Sequence, residues 1–392
     1  MIPYDVLVVG AGFAGLSSAL TLARQGLRVG VLERNKEIGK PVRTTGIFIQ
    51  KLIDEFFIPK EFLENEIKGM FVHSPSGKCY TIKLEKPRFY MVNVSRYQKW
   101  LADECRKWKV KFHLNTPCND INIKKSKVKI DEFETKAVVL ACGSNIDLVR
   151  KLTGDCVKKF LIGIEFVGEG INARNPRYFE CFFDYELAPG YGAWIAPITR
   201  GVNHVGLCRY SPCGTDIKKE LFEYFKRRIK SKFTIEEVRS GLIPISGPIN
   251  KTYGDRFLVV GDAAGQTGAL SCCGIYFALL IGRIAGKVLG THIDDPSENN
   301  LKEYETAWKK GYGRSLRYEL MARSLWDRID SNEELEEALK LLEDSLVLEQ
   351  MRSILSKYEV SSFHLFQDIF LVVLKNPLMA KNLLEDLIIE RG

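Results

Sequence analysis

Asp5-Val6-Leu7-Val8-Val9-Gly10-Ala11-Gly12-Phe13-Ala14-Gly15 decides the fold of this 392-residue chain. The aliphatic run 5–9 reads as a buried parallel strand, and it breaks into three glycines at GxGxxG spacing. A helical pattern follows at once. Leu16, Leu20, Leu22 and Ala23 supply its apolar face, Gly26 is a C-terminal cap, and Arg28 to Leu32 reads as the next strand, ending at Glu33. Gly10 permits the tight turn, Gly12 lets the backbone approach a pyrophosphate, and Gly15 lets helix pack closely on strand. The helix start adds unpaired amides and a positive dipole end. Glu33 stands where a carboxylate accepts hydrogen bonds from a ribose diol and repels a 2′-phosphate. Strand, glycines, helix, strand and terminal acid in this order predict a Rossmann-like dinucleotide site, for NAD or FAD.

A distant segment separates the two. Asp255 to Val260 reads as a strand running into Gly261-Asp262-Ala263-Ala264-Gly265, with a helix from about Gly274. An acid between a strand and a glycine-containing helix start suits a ribityl or pyrophosphate contact, although Asp262 alone could be an ordinary helix cap. One GxGxxG joined to this Gly-Asp is an FAD pattern. Two features lie between them. Ser95-Arg96-Tyr97-Gln98 has capping-box spacing ahead of a helix holding Trp100, Leu101 and Cys105. Arg96 then stands where a helix dipole disfavours a cation, a conflict that a flavin phosphate or carbonyl resolves, as does solvent. Ala137 to Gly143 reads as a buried strand closing on glycine, and the following helix returns the chain to the nucleotide sheet.

Hydrophobic residues make up 45% and charged residues 27%, with no repeat, which describes a globular enzyme or binding protein rather than a disordered chain. The net charge of +8 is concentrated in Lys218, Lys219, Lys226, Arg227, Arg228, Lys230 and Lys232. Ile217, Leu221, Phe225 and Ile229 recur beneath these charges at helical spacing, so a solvated helix face is the first reading and an anionic membrane surface the second. No zinc-finger spacing or RNA-binding signature accompanies them, and nucleic acid is not expected. The ten cysteines form no Cys-x-x-Cys; the tightest pairs are Cys208 with Cys213 and Cys272 with Cys273. No metal site is expected, and reduced thiols in a cytoplasm are the default, open to contact at the inner face of the cell membrane. No eighteen-residue apolar run is evident, so membrane contact is expected to be peripheral.

From Val157 to Arg209 the pattern becomes that of strands, Phe160–Phe166, Tyr178–Tyr185, Gly192–Ile198 and His204–Cys208, an antiparallel sheet able to wall off a flavin face from water and to offer a broad aromatic surface through Tyr178, Phe179, Phe182, Phe183 and Trp194. After Gly290 helices dominate, with a capping box at Ser331 and Glu334 and a stripe of Leu335, Leu339, Leu342 and Leu346; a last helix carries Leu378, Leu383, Leu384, Leu387 and Ile388. The expected architecture is α/β. A Rossmann-like FAD-binding domain (1–156 and 240–297) is interleaved with an antiparallel-sheet substrate domain (157–239), and a helical C-terminal region (298–392) follows.

With these residues placed, the chain resembles the geranylgeranyl reductase family, flavoproteins of the p-hydroxybenzoate hydroxylase fold that saturate isoprenoid double bonds. The likeness covers nearly the whole chain. It includes Glu37 to Arg43, Ala188-Pro189-Gly190-Tyr191-Gly192-Ala193-Trp194-Ile195-Ala196-Pro197, Gly261 to Ile275 and Lys375-Asn376-Pro377. Carried over residue by residue, it implies FAD contacts at Gly10, Gly12, Ala14, Gly15, Glu33, Arg34, Arg43, Thr45, Gly46, Arg96, Cys142, Gly143, Gly261, Asp262, Gly274 and Ile275. It implies a substrate lining of Phe182, Trp194 and Pro197.

This sequence departs from the family where the chemistry belongs. Gly192 and Ala196 stand in place of the middle segment's tyrosine and phenylalanine, with Tyr191 a displaced tyrosine. Thr44 or Thr45 replaces the cysteine after Pro-Val-Arg, Ala269 and Cys272-Cys273 replace a proline and double glycine, and Cys142-Gly143 replaces the hydroxylases' Asp-Gly. Tyr191, Cys272 and Cys273 are the candidates for the chemistry. The implied reaction is reduction of a carbon-carbon double bond in an isoprenoid or other apolar substrate, with electrons from NAD(P)H, ferredoxin or another carrier. A flavin monooxygenase or halogenase, an electron-transfer flavoprotein oxidoreductase and a non-catalytic flavin- or lipid-binding protein are the rival readings.

Overall fold

The computed structural model describes residues 4–357 apart from 172, 200, 213, 215 and 229–231. Cys213, Ile229, Lys230, Lys375-Asn376-Pro377 and the C-terminal leucine helix therefore lie outside the described residues. In chain order the elements are β1 (Tyr4–Val9), α1 (Phe13–Arg24), β2 (Val29–Leu32), β3 (Ile47–Ile49), α2 (Gln50–Glu55), β4 (Leu63–Ile67), β5 (Gly69–His73), β6 (Cys79–Lys83) and β7 (Phe89–Val92). There follow α3 (Val94–Lys107), β8 (Lys111–His113), β9 (Ile121–Ile123), β10 (Val128–Ile130), β11 (Phe133–Leu140) and α4 (Ile146–Thr153). The chain continues through β12 (Phe160–Glu169), β13 (Phe179–Phe182), β14 (Gly192–Thr199), β15 (Val202–Ser211), α5 (Ile217–Arg228) and β16 (Thr234–Pro244). It closes with β17 (Tyr253–Gly254), β18 (Phe257–Val259), α6 (Gly274–Thr291), α7 (Glu298–Trp308), α8 (Arg314–Trp326), α9 (Asn332–Lys340) and α10 (Ser345–Lys357).

Two compact units share these elements. The first holds Met1–Val42, Val94–Phe160 and Ile243–Leu320, the second Arg43–Asn93, Leu161–Leu242 and Met321–Gly392. These limits differ from those drawn on the sequence. Segment 43–93 joins the second unit because β5 pairs with β13, and the helical C-terminal region is divided between the two because α7 buries Leu301, Tyr304 and Trp308 within the first.

The first unit is built on a sheet ordered β17-β18-β11-β1-β2-β8, with the hairpin β9-β10 joined to the start of β11. β1 lies parallel between β11 and β2, and β18 runs parallel to β11. Every residue of β1 is buried, as a strand covered on both faces requires. Asp5 ties the other end of this layer. Its carboxylate takes the Arg28 backbone amide at 3.0 Å and two guanidinium N–H groups at 3.0 Å each.

Helix α6 covers α1. Ser17 Oγ donates to Leu279 O at 2.6 Å, Ser18 Oγ to Gly282 O at 3.0 Å and Gln25 Nε2 to Gly286 O at 2.9 Å. A Cβ at Gly282 would meet Ala14 O at 2.5 Å, and one at Gly286 would meet the Thr21 Cβ at 2.7 Å, so glycine sets the helix separation. This helix corrects the expectation that no segment is long and apolar enough to span a bilayer. Gly274–Thr291 meets that description by length and composition, but 61% of it is buried and its glycine ridge is spent on α1.

The second unit holds a sheet ordered β16-β12-β15-β14-β13-β5-β6 and a three-stranded sheet β3-β7-β4. Neighbours β13, β14 and β15 are antiparallel, while β13 and β5 are parallel. One face carries Ile164, Phe166, Phe182, Ala193, Ile195, Val205 and Leu207 onto Ile217, Leu221 and Phe225 of α5. The basic residues of α5 thus ride on a buried apolar stripe. Helix α9 begins with the expected capping box, since Glu334 N donates to Ser331 Oγ at 3.2 Å. The leucine stripe does not persist. Leu335 and Leu339 are buried against Val72, Tyr80 and Ile82, but α9 stops at Lys340, and Leu346, on α10, is 51% exposed.

Candidate functional site

The glycine-rich turn sits at the carboxyl ends of β1, β2 and β11, where Gly10 N donates to Leu32 O at 2.8 Å and Ala141 N to Val9 O at 2.9 Å. Its three glycines do three different jobs. Gly10 has φ +105°, and a Cβ there would lie 2.3 Å from Ala141 O. A Cβ at Gly15 would lie 1.9 Å from Gly10 O, so this glycine brings helix against turn. Among the described residues, and apart from its two chain neighbours, Gly12, the N-cap of α1, has no atom within 4 Å of its Cβ position, which leaves a space beside the helix amides. That is the cradle a pyrophosphate needs.

Glu33 is buried, but its carboxylate is not simply waiting for a ribose. Oε2 accepts from Ala11 N at 2.8 Å, and Oε1 accepts from Asn35 N at 2.8 Å and Asn35 Nδ2 at 2.6 Å. It shapes the turn, with one acceptor site on Oε2 remaining for a ribose hydroxyl. Arg34 beside it is exposed, and its charge reaches the Cys142 thiol, which burial nonetheless pushes up to about 11. Cys142 Sγ donates to Asn145 O at 3.2 Å, and Gly143 follows at φ +60° with open space at its Cβ.

Asp262 occupies a 3-10 turn, Gly261–Ala264, rather than a helix start. Its surroundings are nonetheless those expected. Thr267 Oγ1 donates to Asp262 Oδ1 at 2.5 Å, and that oxygen lies 3.5 Å from the Cβ position of Gly274, the first residue of α6. Folding of 265–273 therefore returns the acid to a helix N-terminus that the sequence places twelve residues on. Burial raises the Asp262 carboxyl above its usual range, only partly offset by Thr267. Ile275 follows Gly274 in the first turn of α6.

The loop before α6 carries a residue that sequence reasoning missed. Glu319 Oε2, from α8, accepts from Leu270 N at 3.0 Å and Ser271 N at 2.8 Å, and its carboxyl is raised by burial. Only its place on a helix marks it in the sequence, and nothing there ties it to a loop fifty residues earlier. Cys272 adopts φ +56°, a left-handed backbone, so this chain retains the glycine conformation without the glycine. Cys273 is the N-cap of α6.

Helix α3 begins at Val94, which places Ser95 inside it and corrects the capping box expected there. Arg96 is exposed in the first turn. Gly39 packs on Ser95, whose carbonyl oxygen would lie 2.8 Å from a Cβ, and Glu37 pairs with Lys99 at 2.5 Å, so segment 37–40 is docked on this helix end.

In the second unit the expected substrate lining is split by strand alternation. Phe182 and Ala193 are cross-strand partners on the face covered by α5, where Phe182 stacks on His73 at 4.6 Å and meets Phe225 at 5.9 Å. Pro197 shares the parity of Ile195 and is buried. Phe182 is therefore a core residue. Trp194 points to the other face, opposite Gly206 and Cys181. Tyr191 precedes β14 in a turn, its amide donating to Ala188 O at 3.0 Å. Arg43 and Gly46 belong to this unit, where Gly46 O accepts from Val92 N and a Cβ at Gly241 would lie 3.0 Å from Arg43 O.

Residues 5–55 match the family model described as FAD dependent oxidoreductase. Over 369 residues the chain is 34% identical to digeranylgeranylglycerophospholipid reductase of Methanocaldococcus jannaschii, covering 88% of this chain and 91% of that protein. The chain belongs to the digeranylgeranylglycerophospholipid reductase family. It is an FAD-dependent oxidoreductase. The fold of this family member is shared with a geranylgeranyl bacteriochlorophyll reductase-like protein of Thermoplasma acidophilum, at TM-score 0.83 and 22% identity over 98% of this chain and 99% of that one. It is shared more distantly with p-nitrophenol 4-monooxygenase of Pseudomonas putida, at TM-score 0.70 and 18% identity over 92% and 98% of the two chains.

Proposed function

We propose that the chain saturates carbon-carbon double bonds of an isoprenoid lipid of the digeranylgeranylglycerophospholipid class. The observation that carries this reading is the 34% identity to a reductase of that name across nine-tenths of both chains. FAD, when bound and reduced, would supply a hydride to one alkene carbon while a proton reaches the other, and the chemistry of that step is the cofactor's own.

The chain's residues bind and orient. The open space at Gly12 and the first amides of α1 receive the pyrophosphate, with Ala14 and Gly15 closing the helix on it. Glu33 offers its remaining acceptor site on Oε2 to a ribose hydroxyl, with Arg34 alongside. Asp262, held by Thr267, takes the ribityl chain or pyrophosphate, and Gly143, Gly274 and Ile275 leave the backbone exposed to the ring system. Arg43, Thr45, Gly46 and Arg96 complete the set, Arg96 answering the anionic or carbonyl groups that the start of α3 favours.

Trp194 is the aromatic residue proposed to meet substrate. Cys272 and Cys273 directly precede α6 and, with Tyr191, are the side chains proposed nearest the chemistry. NAD(P)H in one hydride transfer, or ferredoxin or another carrier in successive electron transfers, recharges the enzyme, and a membrane-lipid substrate puts its work at the inner face of the cytoplasmic membrane. The purified protein should show the yellow spectrum of bound FAD and release an isoprenoid lipid on extraction. A protein that consumes NAD(P)H only with oxygen, yielding a hydroxylated or halogenated product, would be a monooxygenase or halogenase of the same fold.

A further inference from the structure

The second unit buries a charged cluster whose one link to the cofactor contacts proposed above is Thr45. Glu165 on β12 and His204 on β15 are 4% and 2% exposed. His204 Nδ1 lies 3.0 Å from Glu165 Oε1, and Arg239 Nη1, from β16, lies 3.5 Å from the same oxygen and 3.5 Å from His204 Nε2. On its other side the carboxylate accepts the indole N–H of Trp194 at 3.2 Å and the hydroxyl of Thr45. One carboxylate thus joins three strands to the segment after Pro-Val-Arg.

Burial by itself would protonate such a group, but His204, Thr45 and Arg239 more than offset it and leave the Glu165 carboxyl below its usual range. An ionised carboxylate only accepts hydrogen bonds, so it commits the Thr45 hydroxyl and the indole N–H to fixed directions. Gly206 completes the seat. A Cβ there would lie 2.3 Å from Trp194 Cζ2, so the indole rests on bare backbone across the strand pair.

We propose that Glu165, clamped by His204 and Arg239, is a positioning residue that holds the Trp194 indole and the Thr45 hydroxyl as one rigid wall against which the isoprenoid chain is aligned. This rests on the reading of Trp194 as the substrate-facing aromatic. A flexible apolar chain binds a preorganised surface without that surface losing freedom, which is where such a clamp contributes. The ion cluster is set behind the wall rather than exposed to the chain, as a buried charge must be.

The test uses holoprotein and digeranylgeranylglyceryl phosphate in detergent micelles, with dithionite as reductant. Glu165→Gln keeps the side chain's shape but turns a donor toward His204 and Arg239. Its FAD content and rate of flavin reduction by dithionite should match the wild type, while Kd and KM for the lipid rise about tenfold, roughly the loss of one hydrogen bond to a charged group. Trp194→Phe should do the same, and the double variant should be no worse than the worse single one, because both remove one device. His204→Gln gives a second route to the clamp if Glu165→Gln does not fold.

A merely structural role would lower thermal stability and FAD content together and leave Kd unchanged. That result in either clamp variant, or effects of Glu165→Gln and Trp194→Phe that multiply, would overturn the proposal. A wild-type protein that neither binds nor reduces the lipid overturns the functional reading instead.

Discussion

Single residues carry the sharpest tests. Cys272 holds a left-handed backbone that costs a β-carbon about 1–2 kcal/mol. Cys272→Gly removes that strain, and after the added freedom of the unfolded chain a gain of up to about 1 kcal/mol remains, readable in urea melts. Gly15→Ala has the opposite sign. With Gly10 O at 1.9 Å from the new methyl, the turn must open, and loss of bound FAD should accompany a destabilisation of about 3 kcal/mol.

Asp5 links pH to stability. Its hydrogen bonds to Arg28 hold the carboxyl at about 2, below the ordinary range near 4, so its stabilisation is complete above that range and lost as pH falls toward about 2. Discounted for the half-exposed Arg28, Asp5→Asn should cost about 1–2 kcal/mol at pH 7, and the two unfolding curves should converge in acid. The glycines were legible in the sequence because each answers a local steric need. Glu319 and Glu165 were not, because their partners lie about fifty residues away in one case and on three other strands and a loop in the other.

Among elements, the α1–α6 pair matters most. Both helices were readable from periodicity, but their contact was not, since nothing local says that Gly282 and Gly286 face Ala14, Ser18 and Thr21. The same glycines explain how a helix apolar enough for a bilayer is spent inside the fold. Gly286→Val would drive two methyls into Thr21 and the Ser18 carbonyl, with an expected loss of about 3 kcal/mol and a lower thermal midpoint. Strand alternation taught the converse lesson in β13 and β14. Aromatic content suggested one lining surface, whereas the pleat sends Phe182 to the α5 core and Trp194 to the opposite face. The register across β14 and β15 decides this, and register is a tertiary property.

At the scale of the molecule, the dinucleotide motif, the Gly-Asp turn and the alternation of sheet and helix segments announced an α/β flavoprotein. The interleaving was less visible, because strand β5 joins its sheet through pairing with β13, more than a hundred residues on. The central claim is that hydride passes from this protein's flavin to an isolated alkene. An anaerobic single turnover tests it most directly, with dithionite-reduced holoprotein mixed with digeranylgeranylglyceryl phosphate and both the flavin spectrum and the lipid mass followed. The account predicts reoxidation of the flavin without oxygen and a lipid carrying two added hydrogens for each double bond saturated. Flavin that stays reduced until oxygen is admitted, with the lipid unchanged, would contradict it.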